Sequence, residues 1–273
     1  MGIVIGIDVG GSTTKIVGIE EGELRTPMLV RAADPVTSLF GALGKFLYAG
    51  GFGLEDVERV MLTGVGSASV GRELYGLPTG HVDEFRANGL GARFGTGLTR
   101  LMVVSMGTGS SFVRVADGEI RHIGGTAIGG GTMQGLARLL LQTNDIRRVS
   151  EMAARGDVRH VNLQIEDICN SPLPGLPSDA TASAFGKAEA DASPDDVAAG
   201  IVHLVLQGVG QCAALAATGT DIRDFVLIGN LARLPQCAEV FDGLAALHGC
   251  RFHIPPHAEF RTALGAALAA FEE

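Results

Sequence analysis

The stretch Ile7–Lys15, IDVGGSTTK, joins an apolar strand to a turn made of glycines and small hydroxyl residues. Ile3 to Asp8 reads as a short buried strand that ends on a carboxylate. Lys15 to Ile19 resumes the strand, and Glu21-Gly22 marks the next turn. Gly10 and Gly11 let backbone N–H groups approach a polyphosphate with no Cβ in the way. Asp8 is placed to hold a hydrated Mg²⁺, which keeps several waters and takes few carboxylates, and Lys15 adds a point charge. The same residues would also make an ordinary tight hairpin turn with a solvated lysine.

A second loop of the same kind follows a second apolar strand. Leu101 to Ser105 runs into Ser105–Ser111, SMGTGSS, with glycines for backbone approach and hydroxyls for phosphate oxygens; Phe112 to Val115 and Glu119 to Ile123 complete a hairpin. By itself this loop reads equally as a flexible turn, but two such loops at matching places in two similar halves support each other. Between them, residues 35–49 carry apolar side chains at helical spacing, Val57 to Thr63 is a strand, and Glu84 to Phe94 is a helix weakened by its glycines. A third glycine-rich run, Gly124–Gly135, leads into a helix from about Met133 to Gln142. Glycines opening a helix make an anion site and let a flat nucleotide lie on bare backbone, or they form a hinge between lobes. Near the end, Phe225 to Ile228 is a strand, Gly229-Asn230 a turn, and Arg261 to Phe271 a terminal helix. No GxxxxGK[ST] P-loop and no dinucleotide fingerprint occurs.

Composition narrows the classes. The 273 residues are 46% hydrophobic and 19% charged, enough for two small lobes or one large domain with a proper core. A formal charge of −9 without a basic stripe argues against nucleic acid and anionic membranes as partners. The apolar stretches read as too short or too broken to span a bilayer, and the N-terminus lacks a signal pattern. Cys169, Cys212, Cys237 and Cys250 are widely spaced with no CxxC, so zinc has no support and a reduced cytoplasmic protein is expected. His203 and Cys212 lie on apolar helical patterns. His253 and His257 flank Pro255-Pro256 without forming a metal-ligand spacing.

Taken together, the strings IDVGGSTTK, SMGTGSSF, GGTAIGGGTMQGL, LPGLPSDATASAFGK, VLIGN and ALGAAL resemble the actin, hexokinase and heat-shock-70 superfamily, and within it the type II pantothenate kinases. They are scattered from residue 5 to residue 268, so the resemblance covers essentially the whole chain. The Pro-rich piece running into TASAFGK is its most diagnostic part. The resemblance implies an α/β fold of two ribonuclease-H-like lobes with an ATP cleft between them, divided at residues 1–100 and 101–273. It implies transfer of a phosphoryl group from ATP to an alcohol, with pantothenate leading and pantetheine or another pantoyl-type alcohol as alternatives, together with Mg²⁺ and a homodimer.

The resemblance also assigns residues. Asp8, Gly10, Gly11, Ser12, Thr13, Thr14, Lys15, Gly107, Thr108, Gly109, Gly130, Gly131, Thr132, Met133, Gln134 and Asn230 are expected at ATP, with Asp8 at Mg²⁺ through water. Glu84 matches the family's catalytic acid, which accepts the alcohol proton as its oxygen attacks phosphorus. The adjacent Asp83 allows a one-place slip, and an acidic pair starting a helix is also an ordinary dipole arrangement. Ser111, Arg121, His122 and Gly124 are expected at the substrate. Two departures stand out. His122 occupies the place of a family arginine, and neighbouring Arg121 would face the other side of a strand. Glu259-Phe260-Arg261-Thr262 stands where small residues are usual. Two other functions compete: a sugar kinase of the same superfamily, and an ATPase activator of the 2-hydroxyacyl-CoA dehydratase type. The activators carry a cysteine-bound iron–sulfur cluster, and here no cysteine lies near a glycine loop.

Overall fold

The computed structural model describes residues 2–11, 13–31, 34–70, 73–169, 171 and 173–272. In chain order the elements are β1 (Ile3–Val9), β2 (Thr14–Glu20), β3 (Glu23–Val30), α1 (Pro35–Gly50), β4 (Val57–Thr63), β5 (Thr79–His81), α2 (Glu84–Arg93), β6 (Leu101–Met106), β7 (Ser110–Ala116), β8 (Glu119–Thr126), α3 (Gly130–Leu141), α4 (Ile146–Ala153), β9 (Leu163–Gln164), α5 (Ile165–Ile168), β10 (Thr181–Ser183), α6 (Pro194–Ala216), β11 (Asp224–Ile228), α7 (Pro235–His248), β12 (Arg251–His253) and α8 (Arg261–Ala269).

Each glycine hairpin seeds its own five-stranded sheet, and the two sheets share one plan: β3-β2-β1-β4-β5 in the first, β8-β7-β6-β11-β12 in the second. Three strands form an antiparallel meander, and two more add in parallel. β1 is apolar along most of its length because both faces are covered. Ile3, Ile5, Ile7 and Val9 pack towards α1, while Val4 and its neighbours pack towards α8 and α2. α1 starts where Asp34 caps it, accepting from Thr37 N at 2.6 Å, with Pro35 in the first turn. On the outer face of the second sheet, α3, α6 and α7 enclose the largest core cluster around Val104, Phe112, Val205 and Phe241.

Helices α2 and α8 lie between the sheets and are exchanged between the lobes. α8 ends the chain yet packs on the first sheet, where Gly6 leaves room: a Cβ there would stand 1.9 Å from the Ala263 carbonyl oxygen. α2 follows the first sheet yet meets the second, with Phe85 and Ala92 beside Val103, Val113 and Ile228. The helices cross at glycine, since a Cβ on Gly265 would stand 1.7 Å from the Ala87 carbonyl oxygen. The boundary expected at residue 100 thus follows the chain rather than this exchange. The buried Arg261 ties the crossing together, donating to the carbonyls of Gly91, Phe94 and Pro256.

Several elements differ from expectation. β3 extends the first hairpin to three strands; its polar residues and Pro27 hid it, and both are tolerated because it is an edge strand. The three-residue β5 and the helix α7 were not anticipated, and α3 begins at Gly130, three residues before the expected Met133. The expectation of no membrane-length stretch also needs correction. The 23-residue α6 is long and apolar enough by length and composition, but its Ile201, Val205 and Leu206 are core of the second lobe.

Candidate active site

Strand alternation brings the polar ends of the first sheet to the side of α2 and α8. Asp8 and Lys15 are cross-strand partners, and Thr63 is the neighbour of Asp8 on β4. Lys15 Nζ lies 3.6 Å from Asp8 Oδ2, and both side chains are buried. Burial pushes the Asp8 carboxyl above its usual range, and Lys15 works against that shift. The Thr63 hydroxyl is fully buried and has no partner among the described residues. The turn is closed by Gly10 N donating to Thr13 O at 3.0 Å. Thr14 points the other way, its hydroxyl accepting from Ser38 Oγ at 2.7 Å, so this expected nucleotide contact serves instead to anchor α1. Ser12 lies outside the described residues, as does Pro172 of the Pro-rich segment.

The two adjacent acids separate cleanly. Asp83 caps α2, its Oδ1 accepting from Phe85 N at 2.9 Å and Arg86 N at 3.1 Å. Glu84 is the first helical residue, half-buried, and no described residue donates a hydrogen bond to its carboxylate. Burial raises its carboxyl above the usual value; the Asp8 and Asp83 charges add to the shift and Lys15 opposes it. Glu84 therefore feels the Asp8–Lys15 pair across the seam. Phe85, the next residue of α2, stacks on the His122 ring with centroids 3.7 Å apart and planes 8° from parallel.

Of the four expected substrate contacts, His122 and Ser111 share the α2 side of the second sheet with Val113. Arg121 pairs with Arg114 on the other face, so alternation keeps it away from Glu84. Gly124 pairs with Phe112, just past an irregularity in β8 that leaves Ile123 out of register.

The glycine run before α3 works differently from expectation. Gly130 N donates to Gly107 O and Gly131 N to Thr108 O, each at 2.8 Å. Gly129 N donates to the Thr132 hydroxyl at 3.2 Å, and that hydroxyl donates to Ala127 O at 2.9 Å. The first N–H groups of α3 are therefore already paired, and the glycines act by seating α3 against the second loop: a Cβ on Gly129 would stand 2.6 Å from Thr108 O. Met133, expected at the nucleotide, is fully buried in the core. Ser110 ties the loop from below, donating to Ile128 O at 2.9 Å.

Both hairpins open onto one cavity of about 960 Å³, lined by Thr13, Gly107, Thr108, Gly130, Gly131, Gln134 and Asn230. Its rim also carries Arg31, Arg147 and Arg233, none of them singled out in the sequence. Asp145 and Glu151 share that rim, and Arg147 lies 3.8 Å from Glu151, so the arginines are partly balanced there. Arg147 could have been found from Asn144-Asp145, a capping signal for α4. Arg233 lies 3.3 Å from Glu259, the first of the departing residues before α8. A second cavity of about 610 Å³, between α6, α7 and the β9–β10 region, holds His203 and none of the expected site residues.

Two lobes of one plan thus each offer a glycine hairpin to a shared cleft. Solved structures with this fold include the activator of 2-hydroxyisocaproyl-CoA dehydratase from Clostridium difficile with bound ADPNP (TM-score 0.72, 18% identity, covering 99% of this chain and 94% of that one). They also include a ROK family glucokinase from Streptomyces griseus in complex with glucose and AMPPNP (TM-score 0.64, 14% identity, 100% of both chains). At these identities the likeness shows the fold, that of the actin- and hexokinase-like ATPases. Within that class the chain is an ATP-dependent kinase, as its sequence relatives make plain. Residues 96–240 match the family model described as Fumble. The type II pantothenate kinase of Staphylococcus aureus strain USA300 is 31% identical over 96% of this chain and 97% of its own length. That of the bovine strain RF122 / ET3-1 is 30% identical over the same shares. The chain belongs to the type II pantothenate kinase family.

Proposed function

We propose that this kinase phosphorylates pantothenate to 4′-phosphopantothenate, the first step of coenzyme A biosynthesis. The observation that carries the reading is the convergence of Thr13, Gly107, Thr108 and Asn230 on one cavity; 31% identity to a pantothenate kinase across nearly the whole chain supports the acceptor. ATP occupies the cavity, with its phosphates towards the two hairpins. Glu84 takes the proton of the acceptor hydroxyl as its oxygen bonds to the γ-phosphorus. The bond from that phosphorus to the bridging oxygen breaks, and ADP leaves with the electron pair. Burial keeps Glu84 basic enough for this role. Lys15 balances the local negative charge.

The residues present fit a hydrated Mg²⁺ at Asp8. The buried Thr63 hydroxyl beside it lacks a partner, and among the described residues no three His, Cys, Asp or Glu side chains gather, so the ion would keep most of its waters. A bound Mg²⁺ would neutralise phosphate charge as the transfer proceeds. The reading also includes a homodimer, measurable by sedimentation, and a cytoplasmic location.

His122 is the point at which the acceptor is decided. Its ring lies flat on Phe85 and replaces an arginine fork with a compact aromatic wall. A panel of pantothenate, pantetheine, glucose and N-acetylmannosamine, scored by ADP release, tests the reading. Turnover confined to pantothenate is expected; turnover on a sugar with none on pantothenate would overturn it. The activator reading is favoured by fold likeness alone, and an absorbing iron–sulfur cluster in the purified protein would revive it.

A further inference from the structure

Asn88 stands one helical turn beyond Glu84 on α2 and is fully buried. Its Oδ1 accepts from the Thr262 hydroxyl of α8 at 2.7 Å, and its Nδ2 has no partner among the described residues. A buried amide N–H without an acceptor is costly, and each one retained in a folded protein calls for a reason. Residues four apart on a helix stand over one another, and their side chains lean towards the helix N-terminus. The Asn88 amide therefore leans over the turn that Glu84 begins. Glu84 receives no hydrogen bond from a described residue, and the charges facing it are Asp8 on β1, Lys15 on β2 and Asp83 beside it. An unpaired donor and an unpaired acceptor thus share one face of one helix, inside the seam between α2 and α8.

We propose that Asn88 is a positioning residue for Glu84, its Nδ2 donating to the Glu84 carboxylate when the acceptor alcohol binds. One carboxylate oxygen is then held by Asn88 and the other faces the hydroxyl to be deprotonated. Catalytic hydrogen bonds often tighten only in the loaded site, which accounts for the open pair seen here. The inference rests on the reading of Glu84 as general base.

The test compares Asn88→Leu, which keeps the branching and removes the amide, with the parent in pantothenate turnover. A fall in kcat of about tenfold is expected, with KM for ATP and for pantothenate within twofold. In a Glu84→Gln background the same substitution should change the residual rate by less than about twofold, because its effect passes through Glu84. Asn88→Ala gives the same comparison if the leucine variant does not fold. Full kcat in the Asn88 variant, an equal loss of nucleotide affinity, or a further tenfold loss in the double variant would overturn the proposal. If Glu84→Gln itself kept full turnover, the general-base reading would fall and take this inference with it. If Glu84→Gln is inactive while Asn88→Leu is fully active, the inference falls alone.

Discussion

The two hairpins occupy the same place in two sheets of the same order, yet they carry opposite chemistry. Asp8 and Lys15 face each other across β1 and β2, and Ser105 and Ser111 hold the corresponding register across β6 and β7. In the first hairpin a buried carboxylate and ammonium lie beside the seam that holds Glu84. In the second, neutral hydroxyls take their place, and the loop is stitched by its carbonyls to the start of α3. Under the proposed function the shared fold sets where phosphate sits, and the residues at one register set which hairpin handles charge and proton and which one only grips.

The largest effect should come from the charged side. Glu84→Gln is expected to lower kcat by about 10³-fold, within the range for losing a general base, while nucleotide affinity measured by calorimetry stays unchanged. Stability should move the other way. The folded Glu84 carboxyl lies above its unfolded value, so its contribution is present in full at pH below the usual carboxylate range and is lost as pH rises through the folded value. Glu84→Gln removes that loss, so its thermal midpoint should exceed the parent's at pH 8 and the gap should close near pH 4. A lower midpoint at pH 8 would mean that Glu84 is already well paired.

The next effect tests the crossing that sets the hairpins against each other. Gly265→Ala would place a Cβ at 1.7 Å from the Ala87 carbonyl oxygen, backbone that cannot yield cheaply. A loss of roughly 3 kcal/mol or more in chemical denaturation is expected, at or beyond the upper end for overpacking. A neutral result would show that α2 and α8 slide freely, and that the lobes are not held by this contact.

How much of this the sequence revealed follows the same division. The loops and the core strands were legible because glycine and apolar runs leave local signals, whereas Glu84 stood out from its neighbour Asp83 only through the family resemblance. The exchange of α2 and α8 left none, since Gly6, Gly91 and Gly265 read as weak helix or strand residues until their partners 170 or more positions away are known. The same holds for Met133 and Thr14, whose neighbours in the motif face the cavity while they face a core cluster and Ser38. Glu259, Arg261 and Thr262 looked like departures from the family pattern, but the structure gives them work: a rim ion pair, the tie across the crossing and the clasp on Asn88.

Asp8→Asn should raise KM for MgATP by about 100-fold, equivalent to about 2.7 kcal/mol, because it removes the carboxylate best placed for the hydrated cation and leaves Lys15 without its partner. Steady-state kinetics at several Mg²⁺ concentrations would show the loss easing as Mg²⁺ rises. An effect independent of Mg²⁺ would mean that Asp8 acts only through Lys15.

The smallest effect is expected at the matching position of the second hairpin. Ser105→Ala removes a half-buried hydroxyl from a loop whose grip is assigned to the Gly107 and Thr108 backbone. The change in KM for MgATP should stay below about threefold, since a single neutral hydrogen bond is worth about 1 kcal/mol net. Its Mg²⁺ dependence should match the parent's. Should Ser105→Ala instead approach the Asp8→Asn loss and share its Mg²⁺ dependence, both hairpins would be handling the cation. The division of labour drawn from their registers would then be wrong, even with the fold and the cleft left intact.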